Sequence, residues 1–326
     1  MIYPWQRMIV LDQSLNFGEA RGPCVAILMC AWNGERYLPE QLQSFIDQTH
    51  TNWSLHVSDD GSSDATCDIV RRFSEGQHRV VTLRRGPRRG FSRNFMSLVC
   101  ASDIAGDYFA FSDQDDIWNK DKLERALNWL TTIPQEVPAV YCSRTETVDD
   151  AGNRLGFSPL FTKPPGFRNA IVQNVGGGNT MAFNASARSL LAAIGDVEVV
   201  SHDWWTYQIT SAAGGLVRYD PQPSIRYRQH ANNAVGSGNS MLARLHRVRM
   251  LFAGRFMKWN DLNINALSKL RSRFDPINLE VLDQFILARK SPNLIIRLWH
   301  LHKSGVYRQT LAGNLGLVVA AIFRKL

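Results

Sequence analysis

Five groups of residues in this 326-residue chain have types and spacings that can do chemistry. The run Ser112-Asp113-Gln114-Asp115-Asp116 packs three carboxylates into four positions. If they face one site they repel one another, and a hard divalent cation relieves that repulsion. Mg²⁺ or Mn²⁺ takes one or two carboxylates and completes its shell with phosphate oxygens. The competing reading is a polar loop whose aspartates cap the helix that starts near Lys120-Asp121-Lys122. A second acidic run, Asp59-Asp60-Gly61-Ser62-Ser63-Asp64, follows a strand-like segment. Asp203, in Ser201-His202-Asp203-Trp204-Trp205, is a carboxylate able to take a proton from an attacking hydroxyl; otherwise it caps a helix and the two tryptophans are core. His230 stands in a loop with Asn232, Asn233 and Gly236. It is either a ligand or a structural donor, in a setting where backbone amides also approach phosphate. Arg84 to Asn94 carries five arginines and two glycines. Guanidinium groups bind phosphate bidentately, so the loop suits a diphosphate, or else it is a solvated basic surface.

These residues need elements to hold them. Pro23 to Cys30 is a short apolar run suited to a buried parallel strand. Leu38, Leu42, Phe45 and Ile46 then recur at helical spacing. Trp53 to Ser58 reads as a second strand, and Ser62 or Ser63 caps a helix with Ile69, Val70 and Phe73 on its apolar face. Val80 to Leu83 and Tyr108 to Phe111 are further strands, and Arg93-Asn94 opens a helix carrying Phe95, Leu98 and Val99. This alternation predicts an α/β fold with an open, mostly parallel sheet flanked by helices. Such sheets bind ligands at the carboxyl ends of their strands, where both acidic runs fall. After about residue 135 the pattern loosens: Ala139 to Ser143, Leu216 to Tyr219 and Ile225 to Arg228 read as strands, and Ser186 to Ala193 and the stretch from Ser201 as helices. Asp150 to Asn153 is a turn, and Gly176-Gly177-Gly178-Asn179 leads into a short apolar segment.

The net charge of +8 is uneven. Residues 241–326 hold fifteen Lys and Arg against four Asp and Glu, leaving the rest slightly acidic. The predicted organisation is an N-terminal extension (1–22), a catalytic domain (23–238) and a basic, amphipathic helical region (239–326). Within the last, Leu294, Ile295, Ile296, Leu298 and Trp299 lie amid Arg297, His300, His302 and Lys303. That composition fits an interfacial helix on an anionic membrane surface, or a face that packs on the domain or on a homodimer partner. The longest late apolar stretch, Leu311 to Phe323, falls short of the ~20 residues that span a bilayer. No apolar leader opens the chain. The five scattered cysteines form no CxxC pair and fit buried, reduced thiols in a cytoplasmic protein. The first strand is followed by Ala31-Trp32-Asn33-Gly34-Glu35 rather than GxGxxG, against a dinucleotide oxidoreductase. No nucleic-acid-binding module is present.

Taken in order, the runs resemble the family 2 glycosyltransferases of the GT-A fold, from about Val25 to Gly236. Ala31-Trp32-Asn33-Gly34 with Tyr37-Leu38 is similar to the family's opening segment, with Trp where Tyr is usual. Val57 to Asp64 resembles its nucleotide-binding turn, Gly90 with Arg93-Asn94 its "G…RN" segment, and Phe111 to Asp116 with Trp118 and Lys122 its extended DxD motif. His202-Asp203-Trp204 resembles the region of the catalytic base, and Arg228-Gln229-His230 through Gly236 the loop that closes the site. The resemblance implies a metal-dependent, inverting hexosyl transfer from a nucleotide-sugar donor to a saccharide or lipid-linked acceptor. It implies Asp59, Asp60, Arg93 and Asn94 at the nucleotide, and Asp113, Asp115 and His230 at the metal. It also implies Asp203 as general base, and Trp204 and Asp116 near sugar or acceptor. The DQDD and HDWW forms and Lys303 to Thr310 are most similar to bacterial rhamnosyltransferase-like members that build O-antigen and other surface polysaccharides. dTDP-rhamnose is thus the expected donor, another UDP-, GDP- or dTDP-sugar the alternative. A non-catalytic sugar-nucleotide-binding protein fits the fold but has no need of Asp203. The implied location is cytoplasmic, at the inner face of the membrane.

Overall fold

The computed structural model describes residues 22–195, 197–229 and 254–326. His230 and the boundary expected near Gly238 lie outside them, as does nearly all of the N-terminal extension. The first half is a strand–helix alternation: β1 (Val25–Ala31), α1 (Leu38–Ile46), β2 (Trp53–Asp59), α2 (Thr66–Glu75), β3 (Val81–Arg85), α3 (Phe91–Val99) and β4 (Tyr108–Ser112). Then come β5 (Ile117–Trp118), α4 (Lys122–Leu130), β6 (Ala139–Ser143), β7 (Glu146–Val148) and β8 (Arg154–Phe157). These are followed by the short α5 (Phe167–Ala170), a 3₁₀ turn at Gly178–Thr180, β9 (Ala182–Asn184), α6 (Ala185–Ala192), α7 (His202–Ala212), β10 (Leu216–Asp220) and β11 (Ile225–Arg228).

Seven strands form the main sheet in the order β10-β6-β9-β4-β1-β2-β3. All neighbours are parallel except β9, which runs antiparallel to both β4 and β6. β1 is central, and all seven of its residues are buried. Helices cover both sheet faces, which is why this strand reads as an unbroken apolar run instead of an alternating one. On one face Leu38, Leu42 and Phe45 of α1 meet Leu123 and Leu127 of α4. On the other, Phe95 and Leu98 of α3 pack with Phe111, Phe183, Trp205 and Tyr207. β5, β11, β7 and β8 make a second, smaller sheet that stands beside the ends of the first.

Four helices close the chain: α8 (Arg255–Lys269), α9 (Pro276–Lys290), α10 (Leu294–Ser304) and α11 (Leu311–Ile322). Ala266 and Leu267 of α8, Val281, Leu282 and Phe285 of α9 and Leu301 of α10 join the same buried cluster as the sheet's outer helices. The expected α/β GT-A fold with a C-terminal helical extension is therefore present. Among the described residues no helix is long and apolar enough to cross a membrane. The cysteines are all free; Cys30 and Cys142 are buried as expected, whereas Cys100 is exposed and Cys24 and Cys67 lie partly exposed.

Candidate active site

A cleft of about 780 Å³ opens at the carboxyl ends of the main strands. β1 contributes Cys30 and Ala31, with Trp32 just beyond it; the loop after β4 contributes Asp113, Gln114 and Asp115, and the start of α7 contributes His202 and Asp203. The far wall is Gly176 to Asn179 and Phe161. Asp113, Asp115 and Asp203, some ninety residues apart in sequence, thus share one space.

Their electrostatics follow from that convergence. Burial, with the carboxylates of Asp115 and Asp203 nearby, pushes the Asp113 carboxyl up to about 7, against the pull of the Lys122 ammonium. A divalent cation would supply the opposing charge such an arrangement favours. Among the described residues no three His, Cys, Asp or Glu side chains are gathered as a ready ligand set. Two carboxylates are what Mg²⁺ or Mn²⁺ uses when phosphate oxygens and water complete the shell, so the donor set fits. Asp203 occupies the first turn of α7, where the helix dipole favours a negative charge, and its Oδ1 accepts from the Trp204 N–H at 2.7 Å.

The acidic loop is clamped from two sides. Gln114 accepts from the Trp32 N–H and donates to the Trp32 carbonyl, both at 2.8 Å, tying the DQDD segment to the end of β1. Gly34 makes room for that amide, since a Cβ there would lie 2.2 Å from Gln114 Oε1. Buried Arg228 of β11 donates from Nε to the Asp115 carbonyl and reaches Glu40 and the Asp150 carbonyl with its other nitrogens. Sequence reasoning read Gln114 only as part of a motif and did not single out Arg228; the mid-loop amide and the strand-end guanidinium were the available signals. It also gave no site role to Trp32, an exposed aromatic on the cleft rim.

The expected nucleotide residues divide. Asp59 spends its carboxylate on its own turn, accepting from the Gly61 and Ser62 amides and the Ser62 hydroxyl at 3.1, 3.0 and 2.5 Å. It does not line the cleft. Asp60 does, but its two oxygens accept from the Arg88 and Gly90 amides at 2.6 and 3.2 Å. The arginine loop is therefore wrapped around the second strand's turn and is not merely a solvated surface. Gly86 permits this approach; a Cβ would sit 2.6 Å from Asn94 Oδ1 and 2.8 Å from Asp60 Oδ1. Asn94 bonds the Ser58 hydroxyl and carbonyl at 2.6 and 2.9 Å, pinning α3 to β2 while still touching the cleft. Arg93 is half-buried on α3 and is not a cleft-lining residue.

Two expectations are corrected. Asp116, placed near sugar or acceptor, is fully buried, bonded to Asn179 Nδ2 at 2.6 Å and held well above the usual carboxylate range, chiefly by burial. Beside it Lys122 is buried too, its ammonium donating to the Asn179 carbonyl and lying 3.9 Å from the Trp118 ring centroid. Trp204 turns away from the cleft: its indole N–H donates to the Ala170 carbonyl at 2.6 Å and its ring meets Trp259 edge-on. Successive helix residues point about 100° apart, so α7 cannot aim Asp203 and Trp204 at one space. His202, by contrast, lies in the wall with its ring stacked on Phe95 at 3.9 Å, and burial lowers its pKa to about 4, keeping it neutral.

Residues 26–192 match the glycosyl transferase family 2 profile. The dTDP-rhamnosyl transferase RfbG of Shigella flexneri is 31% identical over 250 residues, covering 74% of this chain and 84% of RfbG. The Escherichia coli UDP-Glc:alpha-D-GlcNAc-diphosphoundecaprenol beta-1,3-glucosyltransferase WfgD is 36% identical over 106 residues, 32% of this chain and 40% of WfgD. Among solved structures, residues 1–349 of S. aureus TarS in complex with UDP-GlcNAc superpose with a TM-score of 0.50 at 15% identity, covering 86% of this chain and 90% of that one. Match, relative and architecture agree: the chain is a glycosyltransferase belonging to family 2.

Proposed function

We propose that the cleft transfers L-rhamnose from dTDP-rhamnose to a saccharide or lipid-linked acceptor hydroxyl in bacterial surface polysaccharide synthesis, with inversion at the anomeric carbon. One observation carries the chemistry: Asp113, Asp115 and Asp203 meet in a single cleft, close enough that the other two raise Asp113. Asp113 and Asp115 would hold Mg²⁺ or Mn²⁺, which neutralises the departing diphosphate. Asp203 takes the acceptor's proton as its oxygen attacks C1 from the face opposite the leaving nucleotide. The stacked, neutral His202 and the helix start fix where Asp203 points. Asp60 and the backbone of the arginine loop shape the nucleotide end, with Trp32 offering a flat face at the rim. His230 stays a candidate ligand by resemblance. The sugar rests on the likeness to RfbG, a dTDP-rhamnosyl transferase.

The test is a donor screen. Purified protein is incubated with dTDP-rhamnose and with UDP- and GDP-sugars in Mg²⁺ or Mn²⁺, and slow hydrolysis is followed as nucleotide diphosphate release. Release from dTDP-rhamnose alone, abolished by EDTA, is expected. Asp203→Asn should retain donor affinity by calorimetry yet lose about 10²-fold or more in turnover, the usual worth of a positioned base. Release from a different donor refutes the sugar, and undiminished turnover in Asp203→Asn refutes the base.

A further inference from the structure

The C-terminal helices α10 and α11 pack as a hairpin whose ends are laced together. Arg297 donates to the Ala321 carbonyl at 2.7 Å, and Arg324 donates to the Pro292 carbonyl at 2.7 Å. The start of α10 therefore lies beside the end of α11. The outward surface is apolar along α11 and the first turns of α10, and becomes polar at His302 and Lys303. On α11, Leu311, Leu315, Val318 and Ile322 recur at i, i+4, i+7 and i+11, with Leu311 83% and Leu315 67% exposed. α11 contains no charged residue at all. At the adjoining end of α10, Leu294, Ile295 (78% exposed) and Ile296 are uncovered, and Trp299 follows one turn on. Two helices of eleven and twelve residues thus leave eight large apolar side chains uncovered by any described element.

The charge around that face says what it meets. After Asp283 the remaining residues include seven Lys and Arg and no Asp or Glu. A cavity of about 210 Å³ at the end of the hairpin is lined by Arg289, Lys290, Arg297 and Arg324 with Asp261 and Leu326; Arg289 is paired with Asp261 and buried Arg297 with backbone carbonyls, so the exposed Lys290 and Arg324 are the charges that face outward. Lys290, Lys303 and Arg324 are exposed at the borders of the apolar face. A second copy of this chain, docked about a two-fold axis, would set this cationic rim against itself. An anionic bilayer satisfies both features at once, taking the apolar stripe among its acyl chains and its phosphates against the lysines and arginines. At 1.5 Å per residue α11 is about 18 Å long, too short to span the ~30 Å core, so it lies along the surface. The hairpin is rigidly joined to the wall of the cleft. Between α10 and α11, the Tyr307 N–H donates to the Arg168 carbonyl at 3.1 Å and the Gln309 amide N–H to Gln173 Oε1 at 2.8 Å. The wall residues Asn174 to Asn179 follow directly.

We propose that the α10–α11 hairpin is a membrane-docking surface that seats the protein on an anionic phospholipid bilayer, with the exposed Lys290, Lys303 and Arg324 against lipid phosphate. The test uses the full chain and phosphatidylcholine vesicles with or without about 30 mol % phosphatidylglycerol, chosen because anionic lipid supplies the attraction. Co-sedimentation is expected with the anionic vesicles only, weakening as salt rises. The triple variant Ile295→Glu, Leu311→Glu, Leu315→Glu, made only at exposed positions, should bind more than tenfold more weakly at an unchanged melting temperature. Lys303→Glu should cost about fivefold, and Leu155→Glu, on the exposed β8, should cost nothing. Equal binding to neutral vesicles overturns the electrostatic half of the proposal. A wild-type chain that stays in the supernatant, or a triple variant that pellets like wild type, overturns it entirely. So does a concentration-dependent dimer in sedimentation velocity that the triple variant abolishes while vesicle binding is absent, because the face then belongs to a second copy.

Discussion

Gly34 and Gln114 are coupled in a way that additivity cannot imitate. Gln114→Ala removes two neutral hydrogen bonds, to the Trp32 N–H and carbonyl. At about 0.5–1 kcal/mol each for a water-accessible site, the loss is about 1–2 kcal/mol. Gly34→Ala is tolerated by the backbone, because Gly34 is not among the residues with positive φ. Its Cβ, however, would stand 2.2 Å from Gln114 Oε1 and 2.4 Å from Cδ. The amide can swing clear only by releasing both bonds, so the second variant costs about the same as the first. In the double variant there is no amide to displace, and the added methyl is free. The cycle should therefore close with a coupling of about −1 to −2 kcal/mol instead of summing. With ~2.1 cal/mol/K of unfolding entropy per residue, each single variant and the double should all melt about 2–3 °C below wild type. Calorimetry of donor binding in Mn²⁺ should show the same pattern, since all three free the loop that carries Asp113 and Asp115. Melting temperatures that fall additively in the double variant would refute the clamp.

Two other perturbations probe what surrounds the site. His56, buried in β2 between the Ser54 and Thr82 hydroxyls, has its pKa lowered to about 4 by burial, with Arg84 adding to the shift. The unfolded chain takes its proton first, near pH 6.5, so stability is complete above that value and falls as pH drops toward 4. From pH 8 to pH 5 His56 contributes a loss of about 2 kcal/mol, read as denaturation midpoints; His56→Gln should remove that share and leave a comparable one from buried His202, whose pKa is also lowered to about 4. Lys122→Met removes the buried amine that donates to the Asn179 carbonyl. That carbonyl loses its donor, so a cost of about 1–3 kcal/mol in urea unfolding is expected; an unchanged midpoint would mean Lys122 serves packing alone.

What the residues disclosed unaided depended on how local the cause was. β1 and β4 are legible because helices bury both their faces, which demands apolar runs, whereas buried β2 alternates Trp53, Leu55 and Val57 with Ser54, His56 and Ser58. β5, β7 and β8 are two to four residues long and exist only because β11 pairs with the first two and β7 with β8. No periodicity can register in so short a segment. The turn at Asp150 to Asn153 was readable from composition, and it is the hinge of the β7–β8 pair. Asn33 illustrates a motif residue whose reason is conformational. Its φ of 48° is left-handed, which Asn tolerates, and its Oδ1 accepts from the Ser63 N–H at 2.8 Å. It joins the loops after β1 and β2, a role no count of carboxylates would reveal.

The acidic residues carry a more general lesson about which aspartates in a cluster are free to react. A carboxylate offers about four lone-pair positions, and backbone amides compete for them with any ligand. Asp59 gives three acceptances to its own turn and Asp60 two to the arginine loop, so both sculpt the pocket more than they present charge to it. Asp116 is withdrawn into a buried network with Asn179 and Lys122. Asp113 is different: burial first, then the carboxylates of Asp115 and Asp203, raise it, which marks it as a candidate for chemistry. Sequence alone marks all of these positions with the same letter. Their division into builders and reactants is set by which strand end each one terminates and by how many amides lie within reach there. It follows that converting a builder such as Asp59 to Asn should show itself first in stability, whereas converting Asp113 should show itself first in metal-dependent donor binding.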